Sequence, residues 1–516
     1  MERACGVLLP VSALASGHGI GCFSEEAYRF VDFLVSAGQT YWQILPLGQT
    51  GFGDSPYQSC SVFAGNPYFI DPEKLIEKGY LTRQEVENCD FGSDPYAVDY
   101  EKIYNARYPL LRKAYHNSPF AQDAQPPESP EETQEVAQFE AFIRREAGWL
   151  DDYAMFCTIK DVMGGADYRT WRDTLREHRT HAVAAMKHAH ADAFRFWQYV
   201  QFEFDRQYMA LKEYANARGI RIVGDIPIYV AADSADVWSH PTLFDVDAQG
   251  HPNAVAGCPP DGFTEDGQLW GNPLYDWEEH ERTEYAWWIS RLEHSFRYYD
   301  VVRVDHFRGF DTYYAVPAGD ENARRGVWRQ GPGMKLFNRV NEVLGEEQII
   351  AEDLGFITDS VRRLLADSGY PGMKVLQFAF DGTDNEYLPH NYGKNCVAYT
   401  GTHDNETLRG WYESQSEETR AQIEQYLGME PDEDIRDAAI RALMMSSADT
   451  VIVPMQDYLR LGNEARINTP STLGGKNWCW RVDYWALTQE VSDYMKRLAE
   501  TFFRAARHPA KEDADE

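Results

Sequence analysis

Eight short apolar runs, rich in β-branched residues, most constrain what this chain can fold into. They are Cys5–Leu9, Tyr41–Leu45, Ile220–Val230, Val301–Asp305, Gln348–Glu352, Lys374–Phe380, Cys396–Thr400 and Thr450–Met455, each closed by Gly, Pro, Asp or His. Runs of this length and composition read as strands. Helical patterns lie between most of them. In one, Phe194, Trp197, Gln201, Phe204, Tyr208 and Leu211 recur at spacings of three and four, and Gly219 follows as a C-cap. Strand–helix alternation implies parallel βαβ units. Eight such units predict an α/β fold, a closed (β/α)8 TIM barrel spanning residues 1–516 as one unit. In that fold functional residues gather at the C-terminal strand ends.

The spacing of the runs is uneven, which places insertions. Residues 60–190 are expected to be a helical insertion after the second strand, carrying Phe139, Phe142, Glu146, Trp149, Tyr153 and Phe156 at helical spacing. Within it, Gln125–Pro130 reads as an exposed loop. Residues 245–277 are rich in Gly, Pro and Asp and show few helix or strand signals. Phe263, Trp270, Tyr275 and Trp277 argue against disorder there, so the segment is expected to be a functional loop. Residues 410–447 read as a second, helical and acidic insertion after the seventh strand. The apolar stretch near Met1–Ala15 is broken by Pro10 and is expected to be a first strand rather than a signal peptide.

Several runs end in carboxylates. The third carries Gly224-Asp225-Ile226-Pro227 and the fourth ends Arg303-Val304-Asp305-His306. The fifth ends Glu352-Asp353 and the seventh continues into His403-Asp404. A strand alternates its faces, so Arg303 and Asp305 point the same way. An Arg this close is expected to keep Asp305 ionised. Glu352 has no Arg beside it in sequence, and neighbouring carboxylates should raise its pKa. One ionised and one protonated carboxyl are what cleavage of a glycosidic bond needs. Asp404 would be a third carboxylate bridging sugar hydroxyls, with His306 and His403 as hydrogen-bonding partners of the same sugar. The bland alternatives are a buried Arg–Asp pair that ties down a strand end, and satisfied core imidazoles. Mg²⁺ or Ca²⁺ would also accept converging carboxylates, but Arg303 and two His beside them suit a hard cation poorly. No metal and no cofactor are expected.

Composition narrows the partners. A net charge of −33 disfavours nucleic acid and anionic membranes. Tyr and Trp number 31 and 14; their flat faces suit stacking on sugar rings, although a large aromatic-rich core accounts for most of them. The eight Cys (5, 22, 60, 89, 157, 258, 396 and 479) form no C-x-x-C pair, so they are expected to be reduced thiols of a cytoplasmic protein. No apolar run is long enough to span a membrane.

Nearly the whole chain resembles the 4-α-glucanotransferases (amylomaltases or disproportionating enzymes) of glycoside hydrolase family 77. The resemblance runs through Gly53-Asp54-Ser55-Pro56-Tyr57-Gln58, Gly65-Asn66-Pro67-Tyr68, Gly224-Asp225-Ile226-Pro227-Ile228-Tyr229 and Pro259-Pro260-Asp261-Gly262-Phe263. It continues through Gln268-Leu269-Trp270-Gly271-Asn272-Pro273, the strand ends at Asp305, Glu352 and Asp404, then Asn468-Thr469-Pro470 and Asn477-Trp478-Cys479-Trp480-Arg481. The resemblance implies that Asp305 is the nucleophile, Glu352 the acid/base and Asp404 the transition-state stabiliser. It implies a retaining mechanism, with the two working carboxyls roughly 5–5.5 Å apart. Tyr57, Asp225, Arg303, His306 and His403 would line the sugar subsite beside the cut bond. Ser55, Phe263, Trp270, Asn468 and Pro470 would also bind substrate. Donors would be maltooligosaccharides and α-1,4-glucan, and acceptors glucose or maltooligosaccharides.

Two positions depart from the family pattern. Phe52 stands where some relatives carry a Tyr used at a secondary glucan site, and Gly262 replaces a common aromatic. The chain also looks like the short type, without extra N-terminal sugar-binding modules. The same carboxylates could serve an α-1,4-glucan hydrolase. A non-catalytic glucan-binding barrel and an unrelated metal-dependent enzyme are further alternatives. Transfer wins over hydrolysis when loops exclude water, and the 245–277 segment and Ser55–Tyr57 are the expected lid.

Overall fold

The computed structural model describes residues 3–260 and 265–506. Eight parallel strands form the central sheet: β1 (Ala4–Leu8), β2 (Tyr41–Gln43), β3 (Arg221–Ile226), β4 (Val301–Val304), β5 (Ile349–Ala351), β6 (Gly372–Val375), β7 (Cys396–Tyr399) and β8 (Thr450–Pro454). Their order is β6-β7-β8-β1-β2-β3-β4-β5. The Ala351 amide donates to the Pro371 carbonyl at 2.9 Å, and the Met373 amide to Asp353 Oδ1 at 2.7 Å, bringing β5 and β6 together. The sheet is thus a nearly closed (β/α)8 barrel. Each strand overlaps one of the eight apolar runs; six lie wholly within theirs, while β1 starts one residue and β6 two residues before the run.

The strands are short because each needs only to cross the barrel core. Their residues are almost all buried, as strands covered on both faces require. Gly224 in β3 allows one close approach: a Cβ there would meet the Tyr299 ring at 2.1 Å. That keeps Asp225, the next residue, in line at the strand end.

Around the strands lie α1 (Glu25–Ser36), α2 (Ala191–Ala217), α3 (Ala286–Tyr298), α4 (Met334–Leu344), α5 (Asp359–Ser368), α6 (Ile435–Met445) and α7 (Gln489–Thr501). The face of α1 that carries Ala27, Phe30, Val31 and Leu34 is buried, at the spacing a helix stripe demands. On α2 the predicted stripe from Phe194 to Leu211 is buried, and Gly219 follows with φ +78°. No helix of the described residues is long and apolar enough to cross a membrane.

Between β2 and α2 lie further helices, among them Tyr100–Asn117, Pro130–Arg145 and Leu150–Val162. This helical layer is tied to the barrel by partly buried ion pairs. Arg297 on α3 donates to Glu146 Oε1 at 2.6 Å and also to Asp205 on α2. Arg145 reaches the same two carboxylates at 2.6 and 2.8 Å. After β7, Leu408–Ser414 and Glu417–Leu427 precede α6, which buries Ile440, Leu443 and Met444.

The 245–277 segment differs from its reading as a region with few strand signals. It contains the strands Ala254–Cys258 and Gln268–Pro273, which join Thr312–Pro317 and Val327–Gln330 in a four-stranded antiparallel sheet. Ala254–Cys258 pairs with Thr312–Pro317, across a long stretch of chain. Its other neighbour, Gln268–Pro273, is near in sequence but pairs with a shifted register, and glycines at 257 and 271 leave little local alternation to announce either strand.

Candidate active site

The site is built at the C-terminal ends of β3, β4, β5 and β7. Arg303 is buried and its guanidinium forms a fork. Nη1 donates to Asp225 Oδ1 and Oδ2 at 2.8 and 2.6 Å, and Nη2 donates to Asp305 Oδ1 at 2.9 Å. Burial alone would lower the Arg303 pKa, but Asp225 and Asp305 raise it well above the ordinary value, so the cation persists. Asp225, almost wholly buried, also accepts from the Tyr57 hydroxyl at 2.9 Å. Asp305 is fixed through its backbone, whose amide donates to Ile226 O at 2.9 Å, while its side chain is 31% exposed to the barrel mouth.

Glu352 follows β5 by one residue. Its Oε2 accepts from the His306 amide at 2.7 Å and its Oε1 from the Leu354 amide at 2.8 Å. Burial pushes its pKa up to about 8, helped by the charge of Asp305 and opposed by Arg303 and the two amides. Glu352 is therefore a protonated acid at neutral pH. Asp353 turns away, accepting from the Met373 amide.

His403 and Asp404 follow β7. Asn468 Nδ2 donates to Asp404 Oδ1 at 2.6 Å, and His403 Nε2 lies 3.4 Å from the same oxygen. The Tyr57 ring stacks on His403 with centroids 5.2 Å apart and planes at 15°. Trp478 leans against both rings, at 5.8 and 5.9 Å. On the opposite flank the Trp270 ring meets His306 edge-on at 4.8 Å. Burial lowers the His306 pKa to about 3, so its imidazole is neutral.

Asp225, Arg303, Asp305, Glu352, Tyr57, His306, Trp270, His403, Asp404 and Asn468 thus form one linked constellation. Ser55 joins it through the backbone, its Oγ accepting from the Tyr57 amide at 3.2 Å. Pro470 is exposed two residues past Asn468. Phe263 and Gly262 lie outside the described residues, as does the Phe52 side chain. Trp478 and Arg466, which donates to the carbonyls of Asp404 and Asn468, belong to the constellation but were not singled out from sequence. Trp478 stands within the Asn477–Arg481 motif, where it could have been found. Arg466 stands in no quoted motif.

A (β/α)8 barrel that gathers a buried protonated carboxyl and two solvent-facing acidic groups at its C-terminal strand ends defines an enzyme equipped to act on glycosidic bonds. The family model described as 4-alpha-glucanotransferase matches residues 9–488. The chain belongs to the 4-alpha-glucanotransferase family. A 4-alpha-glucanotransferase of Clostridium butyricum is 45% identical over 497 residues, covering 96% of this chain and 99% of the relative. One from Thermus thermophilus is 45% identical over 508 residues, covering 97% and 99%. Among solved structures, an amylomaltase from Streptococcus agalactiae in complex with acarbose superposes with a TM-score of 0.93. It is 40% identical, with 98% of this chain and 100% of that one covered.

Proposed function

We propose that this enzyme transfers a segment of an α-1,4-glucan to the 4-hydroxyl of an acceptor glucose or maltooligosaccharide, by a retaining double displacement through a glucosyl ester of Asp305. The carrying observation is the contrast between two neighbouring carboxyls. Arg303 holds Asp305 Oδ1, whereas Glu352 is kept protonated by burial and by the Asp305 charge. In the first step Asp305 Oδ2 attacks the anomeric carbon. The glycosidic bond breaks, and Glu352 gives its proton to the departing 4-oxygen. Esterification removes the Asp305 charge, and with it one of the causes that raise the Glu352 pKa. Glu352, now ionised, is then the better base. In the second step it takes the proton of the acceptor 4-hydroxyl, which attacks the anomeric carbon and releases Asp305.

Asp404, held by Asn468, is placed to bridge hydroxyls of a distorted ring. Tyr57, His403 and Trp478 offer aromatic faces, and Asp225 and Arg303 fix the base of the subsite. In the same reading the 245–277 segment is a lid. Trp270 brings it against His306, and deleting the residues around Phe263 should raise the ratio of hydrolysis to transfer.

The covalent step is tested with Glu352→Gln and α-maltosyl fluoride, whose leaving group needs no proton. The mass of one maltosyl unit is expected on the Asp305 peptide. An unmodified Asp305, with turnover intact, would refute the ester.

A further inference from the structure

The loop after β7 that carries His403 and Asp404 has a small internal turn, in which the Thr402 amide and hydroxyl donate to Asn405 Oδ1 at 2.8 and 2.9 Å, and it is further braced from outside. It is held by residues that follow β8. Asp457 accepts from Thr400 Oγ1 at 2.5 Å and from the Leu408 amide at 2.8 Å, gripping the loop at its two ends. Asn463 accepts from the Thr407 amide at 3.3 Å and donates to Glu406 Oε1 at 2.6 Å. The centre of the loop, where Asp404 sits, is held by Arg466. Its Nη2 donates to the Asp404 carbonyl at 2.8 Å and its Nε to the Asn468 carbonyl at 2.7 Å. Asn468 in turn donates through its amide to the His403 carbonyl at 3.1 Å and through its side chain to Asp404 Oδ1 at 2.6 Å.

One guanidinium therefore ties the backbone of Asp404 to the backbone of the residue that orients the Asp404 carboxylate. A planar, always charged fork is suited to holding two carbonyls at a fixed separation. We infer that Arg466 is a positioning residue for the transfer reaction, setting Asp404 against the sugar ring without touching substrate. This rests on the proposed role of Asp404 in the transition state. A group that acts there and not in ground-state binding moves kcat more than KM when it is displaced.

Arg466→Ala is assayed with maltotriose beside Asp404→Asn, with folding checked by circular dichroism. Loss of two charge-assisted hydrogen bonds is expected to lower kcat by about 10- to 100-fold. KM should stay within about threefold of the wild-type value, since uniform binding is untouched. Millimolar guanidinium ion should restore part of the kcat of Arg466→Ala and none of that of Asp404→Asn. A merely structural role would reduce the active fraction, which guanidinium would not restore. Wild-type kcat in folded Arg466→Ala, with Asp404→Asn inactive, would overturn the positioning role alone. Full activity in Asp404→Asn would overturn the reading of Asp404, and this inference with it. Should Arg466→Ala not fold, Arg466→Gln takes its place with the same expected split, and wild-type kcat in that variant overturns the role.

Discussion

The backbone amide of His306 donates to Glu352 Oε2 at 2.7 Å, and His306 reaches that position with a left-handed backbone, φ +53°. A non-glycine residue in that region carries strain that its surroundings must hold. Here the strain serves two ends. It turns the chain after Asp305 so that the His306 amide faces Glu352, and it fixes the rotation of the Glu352 carboxyl. Two amide donors favour the charged form of Glu352, yet burial wins and leaves it protonated to about pH 8.

The raised pKa sets two pH dependences. Activity that needs Glu352 as an acid should fall as pH rises through about 8. Between the ordinary 4.5 and about 8 the folded protein keeps a proton that the unfolded chain has lost, so Glu352 costs increasing stability as pH rises across this window. Glu352→Gln should lower transfer roughly 10²–10⁴-fold. It should also melt higher than wild type at pH 8, with the gap closing towards pH 4.5. Equal melting temperatures at pH 8 would mean that Glu352 is not held neutral.

Removing Arg303 strands Asp225 without its cation inside the barrel. Arg303→Met should destabilise the fold by about 3–5 kcal/mol in chemical denaturation, the cost of breaking a buried pair from one side. Adding Asp225→Leu should recover most of that loss without restoring activity. A single variant as stable as wild type would contradict a load on this pair.

Acid should act elsewhere. Burial would raise the Glu146 carboxyl, but His294, whose Nδ1 lies 3.6 Å away, and hydrogen bonds from Arg145 and Trp149 outweigh it and bring it down to about 2. Its contribution is present above the ordinary 4.5 and is lost as pH falls towards 2. Glu146→Gln should therefore be less stable than wild type at pH 7, and the difference should shrink on acidification. Urea midpoints at pH 7 and pH 3 measure it, and a gap independent of pH would contradict the pairing.

Trp270 carries the antiparallel sheet to the pocket. Trp270→Ala opens the flank beside His306 and should raise the hydrolysis-to-transfer ratio several-fold, read as reducing ends formed per glycosyl unit moved. An unchanged ratio would remove Trp270 from the lid.

What the sequence made legible follows from range. The run Ile220–Val230 contains β3, and alternation within Arg303–Asp305 placed both side chains on one face, because such signals are local. The strand Ala254–Cys258 stayed hidden because it pairs on one side with the remote Thr312–Pro317 and on the other with Gln268–Pro273 through an irregular register, in a segment rich in Gly and Pro. Arg466 stayed hidden for the same reason: its partner Asp404 lies on another strand's loop, and no spacing connects them. The Glu352 pKa was readable in direction from neighbouring carboxylates, whereas its main cause, burial, appears only once β5 is packed.

The most direct test is incubation of the purified protein with maltotriose alone, followed by product chromatography and a reducing-end assay. Glucanotransfer predicts glucose together with a ladder of longer maltooligosaccharides at constant reducing ends. Glucose and maltose alone, with rising reducing ends, would show an α-glucan hydrolase and contradict transfer.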